Sequence, residues 1–182
     1  MDFTWDSNGR LSMAEVFRTP GSTKTLVSKA VYTYFAESQG YSSDVGTEGD
    51  LIQVQTWQPV DRSEDTASGS QLWHVTTTQY RYYDGEDSAG KQHQLKAVIA
   101  AQQIEFAAQR NNASAAPTWN TVMVIAELLL TKADGDTAFT EGSVAVTVRD
   151  LSSKVIVAYD SNDRVTAQDL LTGCGCAGGG ST

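Results

Sequence analysis

Two phrases, one near each end of the chain, read almost alike. Phe3-Thr4-Trp5-Asp6-Ser7-Asn8-Gly9-Arg10-Leu11-Ser12 opens it, and Val157-Ala158-Tyr159-Asp160-Ser161-Asn162-Asp163-Arg164-Val165-Thr166 repeats the pattern towards the other end. Asp, Ser, Asn and Arg fall at matching places, while Trp answers Tyr, Leu answers Val and Ser answers Thr. Each phrase has the chemistry of a β-hairpin: strand residues flank a turn of Asp, Ser, Asn and Gly, types that tolerate positive φ or accept hydrogen bonds from turn amides. The aromatic and the Arg sit at the strand ends, where ring and guanidinium can pack across the hairpin or onto its neighbour. A β-branched residue at Gly9 would oppose the left-handed turn. One hairpin buries too little to stand alone, so neighbouring strands must complete a core.

The chain between the phrases reads as more strand. The return strand of the first hairpin runs from Arg10 to about Arg18, and Pro20-Gly21-Ser22 ends it. Residues 25–36 are rich in β-branched and aromatic types, with Tyr32 and Tyr34 on one face and Val31, Thr33 and Phe35 on the other. A polar loop from Ser38 to Asp50 precedes Ile52-Gln53-Val54-Gln55, a half-buried strand at period two. Another loop, Pro59 to Ser70, leads to the long strand segment 71–83, and Asp84 to Gly90 reads as a turn or short excursion. Residues 95–110 are rich in Ala and Gln, with Leu95, Ile99 and Phe106 near one helical face, and predict one α-helix near 96–110. Residues 120–132 carry both signals: Val122, Val124 and Ile125 favour strand, Glu127 to Leu130 favour helix, and strand is the expectation. Asp134-Gly135-Asp136 is a turn, Val144, Val146 and Val148 alternate as a strand, and the last hairpin has strands at about 154–159 and 163–171. The expected fold is therefore mainly β, with eight to ten short antiparallel strands and one helix.

Composition narrows the function classes. Asp and Glu number 22 against 13 Lys and Arg, a formal charge of −9, which disfavours a nucleic-acid backbone or an anionic bilayer as partner. The most apolar run, Val122 to Leu130, is far shorter than a spanning helix needs and is interrupted by Glu127, so no membrane insertion is expected. No basic-then-apolar signal layout follows Met1. Cys174 and Cys176 are the only cysteines and lie in a Gly-rich tail, residues 173–182; C-x-C is half a tetrahedral zinc set and too close for an easy mutual disulfide.

The aromatic-Asp-x-x-Gly-Arg-Leu phrase resembles the signature of the YD-repeat, or RHS-repeat, family. It stands as Trp5-Asp6-Ser7-Asn8-Gly9-Arg10-Leu11 and, with Asp163 in the Gly place, as Tyr159-Asp160-Ser161-Asn162-Asp163-Arg164-Val165. Copies thus fall at 3–12 and 157–166. Arg81-Tyr82-Tyr83-Asp84-Gly85 marks a degenerate copy near 80–85 with a lengthened turn, and the stretch around Tyr32-Thr33-Tyr34 is a candidate for further decay. The resemblance implies a hairpin-repeat segment over residues 1–172, internal or terminal in a large bacterial secreted or cell-surface protein whose hairpins wind into a curled β shell. Its partners would be adjacent repeats of the same polypeptide, an enclosed C-terminal domain or a surface glycan. The family's core segment with self-cleaving aspartates is not recognisable here, so the expectation is a structural part of a toxin-encapsulating or adhesion protein rather than a self-processing unit.

No residue emerges as catalytic, cofactor-binding or metal-ligating, and no enzyme activity or cofactor is expected. Asp6-Ser7-Asn8 and Asp160-Ser161-Asn162-Asp163 begin like calcium loops but lack the later ligands. His74 and His93 have no nucleophile or paired carboxylate at a telling spacing, and neither a G-x-S-x-G elbow nor a phosphate-binding glycine loop occurs. The tryptophans Trp5, Trp57, Trp73 and Trp119 offer the alternative, a free-standing carbohydrate- or protein-binding module, if two or more are exposed on one concave face. Asn112-Ala113-Ser114 matches a glycosylation sequon.

Overall fold

The computed structural model describes residues 1–19, 21–59, 73–85, 89–111, 119–152 and 154–169. In chain order the elements are β1 (Asp2–Trp5), β2 (Leu11–Arg18), β3 (Thr25–Tyr34), β4 (Leu51–Pro59), β5 (Trp73–Tyr82), β6 (Leu95–Ile99), α1 (Ala101–Asn111), α2 (Trp119–Leu130), β7 (Thr137–Glu141), β8 (Val144–Thr147), β9 (Lys154–Tyr159) and β10 (Val165–Asp169). Eight strands form one antiparallel sheet in the order β1-β2-β3-β4-β5-β6-β9-β10. Every neighbour in the sheet is also the next strand in the chain, except that α1, α2 and the separate β7–β8 hairpin are inserted between β6 and β9. Among the described residues the sheet is open, neither closed nor curled, and β1 and β10 form its edges.

The insertion brings most of its own core. Ile104, Ala107 and Ala108 of α1 meet Val122, Ile125, Ala126 and Leu129 of α2, and Ala138, Phe139, Val148 and Leu151 close the far side. Phe106 packs edge-on against Phe139 with ring centroids 5.4 Å apart. Among the buried residues of this cluster the eight-stranded sheet contributes Ile99. A second, smaller cluster joins Leu130 at the end of α2 to Phe35, Val45 and Ile52.

The sheet face beneath the helices is polar. Gln53 pairs in register with Gln79 and Gln55 with Thr77, and all four are buried, as is Arg81. Gln79 donates to Gln53 Oε1 (2.9 Å) and to the carbonyl of Ala126 (2.6 Å). Arg81, 1% exposed, donates to the carbonyls of Leu129 (2.7 Å) and Lys132 (3.1 Å) and to Asp134 Oδ1 (2.8 Å). It thereby caps the C-terminal end of α2, where the last carbonyls lack partners within the helix and the helix dipole favours a cation. Lys96 reaches the other oxygen of Asp134 at 2.7 Å, and Asp44 accepts from the Asp134 amide, so the same cluster ties α2 to the chain before β4. Burial pushes the Arg81 guanidinium down from its ordinary pKa, and Asp134 opposes that shift.

Several expectations need correcting. The helix near 96–110 is α1 alone, from Ala101, because Leu95 and Ile99 lie on β6. The segment 120–132, expected as a strand, is α2. Its β-branched residues are outweighed by spacing: Val122, Ile125, Ala126 and Leu129 fall on one helical face and are buried, while Val124 points outward at 58% exposure. The period-two strand at 52–55 is β4, and both Gln53 and Gln55 on one of its faces are turned inward. The Gly-rich tail, the sequon at Asn112 and the loop after Pro59 lie outside the described residues.

Arg81→Met removes the cap while leaving Lys96 beside Asp134. Two helix-end carbonyls then lose their charged donor in a buried place, and the expected cost is ~3 kcal/mol of unfolding free energy, measured by urea titration. A change within experimental error would show that α2 is held by its apolar face alone.

Candidate functional site: a ladder of four turns

Along one end of the sheet four turns connect strand to strand, and they share one backbone plan. In the first, the Asp6 amide donates to the Arg10 carbonyl (2.8 Å) and the Gly9 amide to the Asp6 carbonyl (3.0 Å). In the last, Asp160 donates to Arg164 (2.9 Å) and Asp163 to Asp160 (3.1 Å). The two long connections close in the same way. Phe35 donates to Asp50 (2.8 Å) and Gly49 to Phe35 (3.2 Å); Tyr83 donates to Gln94 (2.9 Å) and His93 to Tyr83 (3.1 Å). Gly9, Gly49, His93 and Asp163 therefore occupy one position, and all are left-handed, with φ of 75°, 95°, 69° and 61°. His93 and Asp163 are the only non-glycine residues with positive φ among the described residues. An aromatic precedes each turn and an apolar residue follows it, paired in register: Trp5 with Leu11, Tyr34 with Leu51, Tyr82 with Leu95 and Tyr159 with Val165. A bulge or register shift lies beside each of these pairs, which increases the local twist at this end of the sheet.

Adjacent turns are laced together by a second recurring contact. The Tyr34 hydroxyl donates to the Leu11 carbonyl (3.0 Å), Tyr82 to the Leu51 carbonyl (3.0 Å) and Tyr159 to the Leu95 carbonyl (2.6 Å). Each tyrosine thus ties its own turn to the one before it. Removal from water raises the pKa of Tyr159 and pushes that of Tyr82 up to about 12, so both stay protonated donors at physiological pH. Further contacts differ from step to step. Arg10 lies over the Tyr34 ring at 4.5 Å; His93 Nδ1 is 2.9 Å from Asp50 Oδ1; Lys91 and Gln94 both donate to Asp163 Oδ1, at 2.6 and 2.9 Å. Tyr83 meets Tyr159 edge-on at 6.3 Å, and a Cβ at Gly90 would strike the Tyr83 ring, so that approach requires glycine.

In the two short turns Asp does the work of the side chains. Asp6 Oδ1 accepts from the amides of Asn8 (2.9 Å) and Arg10 (2.8 Å), and Oδ2 from Arg10 Nε (2.7 Å). Asp160 repeats this with Asn162 (2.9 Å), Arg164 (3.0 Å) and Arg164 Nε (2.8 Å). The Arg amide, foremost, holds each carboxyl below the usual carboxylate range. A lowered folded pKa stabilises the turn above the ordinary carboxylate value, and that contribution is lost as pH falls through the lowered one. These carboxylates are spoken for by their own turns, and the described residues contain no group of three or more His, Cys, Asp or Glu side chains arranged to hold a metal ion.

The remaining sequence candidates are placed as follows. Asp50 Oδ1 and Thr47 Oγ1 (3.2 Å) both meet the same His93 nitrogen, Nδ1, so the ring cannot relay a proton from one to the other; the histidine side chain is also 55% exposed rather than set in a cleft. His74 lies on β5 opposite Gln58. Trp57 and Trp73 share one sheet face, each half-buried, and Lys29 covers the Trp57 ring at 4.2 Å. Trp5 is 61% exposed on edge strand β1. Trp119 begins α2, but its side chain, like Cys174 and Cys176, lies outside the described residues. An open groove of about 490 Å³ lies between the third and fourth turns, lined by Gly90, Lys91, Gln94, Tyr159, Asp160 and Ser161, and most of its polar groups are already engaged in the ladder. The described residues contain no helix long and apolar enough to cross a membrane.

The degenerate copy expected over Arg81-Tyr82-Tyr83-Asp84-Gly85 is wider in the structure: Tyr82 takes the aromatic place, Tyr83 the Asp place and His93-Gln94-Leu95 the Gly-Arg-Leu place. The discoverable signal was the pair of Tyr and Leu residues bracketing each insertion. No protein-family model, curated protein or solved structure matches this chain.

If the four left-handed positions are equivalent, Gly9→Val and His93→Val each destabilise by ~1–2 kcal/mol, since β-branching opposes this conformation. No side chain stands within 4 Å of a Cβ at Gly9, so the cost there is conformational. His93→Gly trades the contacts of Nδ1 with Asp50 and Thr47 for relief of the backbone, and leaves the melting temperature unchanged or higher. A fall as large for His93→Gly as for His93→Val would break the equivalence.

Proposed function

We propose that this chain is a structural segment of a hairpin-repeat shell of the YD or RHS type, secreted or exposed at the cell surface, and without catalytic activity of its own. The observation that carries this reading is the ladder: four turns with one hydrogen-bond plan, laced by three tyrosine-to-carbonyl bonds. Such a device adds one hairpin at a time without limit, and suits a protein that encloses or spans rather than one that shapes a single pocket. The phrases that carry the resemblance, Trp5-Asp6 with Arg10-Leu11 and Tyr159-Asp160 with Arg164-Val165, lie at the first and last turns of this ladder. Two further features fit. Both sheet edges present strands with exposed side chains, ready for adjacent repeats of a longer polypeptide. The register shifts beside the turns supply local twist, which summed over more hairpins would curl a sheet that is open at this length.

The α1–α2 insertion is a decoration on this scaffold, attached through Arg81 and Gln79 and built around its own core. A surface glycan or an enclosed domain remains the partner class that the shell reading implies.

Immunoblotting of the source cells tests this directly. The account expects the epitope on a polypeptide far larger than 19.6 kDa, degraded when intact cells are treated with protease. A cytosolic, protease-protected band at 19.6 kDa would overturn it.

A further inference from the structure

The insertion of α1, α2, β7 and β8 is held together largely by apolar contacts, and held to the sheet largely by polar ones. Within it Ile104, Val122, Leu129, Val148 and Leu151 share one core, and Phe106 packs on Phe139. Arg110 pairs with Glu141 at 2.9 Å, and Asn111 donates to the carbonyls of Ala107 (2.9 Å) and Ala138 (3.2 Å), so helices and hairpin form one body. Against the sheet the contacts change in kind. Gln79 reaches the carbonyl of Ala126, and Arg81 those of Leu129 and Lys132. Three groups outside the insertion grip Asp134: Arg81 Nη1 at 2.8 Å, Lys96 Nζ at 2.7 Å, and Asp44 Oδ2, which accepts from the Asp134 amide at 2.9 Å. Apolar contact across this boundary comes from Ile99, and from Leu130 against Phe35, Val45 and Ile52.

We propose that this insertion undocks from the sheet as a unit, a hinged cover that opens without unfolding. Three observations carry the proposal. First, the insertion leaves the sheet after Ile99 and rejoins it at Lys154, on neighbouring strands paired through Ala97 with Val155 and Val98 with Lys154. Both connections therefore leave the sheet side by side, and the strand order survives when the insertion turns away. Second, the closed form buries Thr77 Oγ1, Gln79 Oε1 and Arg81 Nε without a protein hydrogen bond, all on the covered face of β5. A desolvated polar group destabilises the closed form, and opening returns it to water. Third, opening bares the amides of Gln53, Gln55 and Gln79, the hydroxyl of Thr77 and the guanidinium of Arg81. Water solvates such groups well, whereas a face of leucines would hold the cover shut.

Asp134 is the latch. Without its carboxylate, Arg81 and Lys96 lose a counter-ion that only the closed form supplies. A buried cation without that partner is costly while the cover is shut and solvated once it opens. Contacts within the insertion's own core persist in both forms, so they do not bear on the equilibrium between them. Opening is thus a sub-global motion, distinct from fraying and from global unfolding. The cover controls access to the polar face of β4 and β5.

The test labels one buried thiol in the full chain, with Cys174→Ser and Cys176→Ser as background. Thr77 lies on the covered face two residues from Gln79, and its hydroxyl has no protein partner, so Thr77→Cys disturbs little. A thiol reagent is applied under native conditions, dilute enough that the rate reports the open population. Far-UV circular dichroism checks that each variant keeps its helices. Labelling is expected with little dependence on urea below the unfolding transition, because opening exposes far less surface than unfolding does. Asp134→Asn raises the rate by about tenfold or more, the scale of a lost hydrogen bond to a charged group. Val148→Ala, or the milder Ile104→Val, both in the insertion's own core, changes it by less than about twofold. If the core variants speed labelling as much as Asp134→Asn does, the thiol is reached only by unfolding the insertion, and there is no hinged cover. Labelling with the full urea dependence of global unfolding overturns the proposal equally, as does an Asp134→Asn rate no faster than the parent's.

Discussion

The structure depends on a left-handed residue placed one position before the end of each turn. With φ between 61° and 95° at Gly9, Gly49, His93 and Asp163, the chain folds back so that the amide after the aromatic reaches the carbonyl before the next strand. Glycine takes this conformation at little cost and Asp tolerates it; His93 is held there by the bonds around it. Once the four turns share this geometry, their strands lie side by side, and the tyrosines fall within reach of the preceding turn's carbonyl. The sheet is the consequence of the turns as much as of strand propensity.

What is inserted into the turns can vary because the closing bonds do not involve it. Residues 36–48 and 84–92 stand where residues 7–8 and 161–162 stand in the short turns, and the short 3-10 turns at Glu37–Gln39 and Ser43–Val45 lie within the first of these. The same tolerance appears at the other end of the sheet, where α1, α2 and β7–β8 fit between β6 and β9 without breaking the strand order. That insertion sits on a face of Gln, Thr and Arg rather than on leucines. Thr77 Oγ1, Gln79 Oε1 and Arg81 Nε are buried there without a protein hydrogen bond, at a cost that an apolar contact would not carry. The polar face therefore contributes position, through carbonyls at the end of α2, more than it contributes stability.

The terminal turns were legible in the sequence because only two residues separate Asp from the left-handed position, and the side chains of Asp6, Arg10, Asp160 and Arg164 complete the bonds that the backbone begins. The middle turns were not, for a physical reason. With Phe35 and Tyr83 in the Asp place, the carboxylate is gone, and only main-chain bonds and one φ angle preserve the pattern. Neither constraint has a fixed side-chain signature, and a histidine at position 93 obscures it further. At 120–132 the local β preference of Val122, Val124 and Ile125 points to a strand, but the helical spacing of Val122, Ile125, Ala126 and Leu129 decides, because it gathers four apolar side chains on one buried face. The structural role of Arg81 was not legible either, since its partners are the carbonyls of residues 129 and 132.

The equivalence of the four turns is tested most directly by amide hydrogen exchange, followed by NMR at Asp6, Phe35, Tyr83 and Asp160. Each of these amides donates the bond that closes its turn, and the account predicts slow exchange at all four, including the two that border long insertions. Rapid exchange at Phe35 and Tyr83, with protection confined to Asp6 and Asp160, would show that the short turns share a plan and the long ones do not.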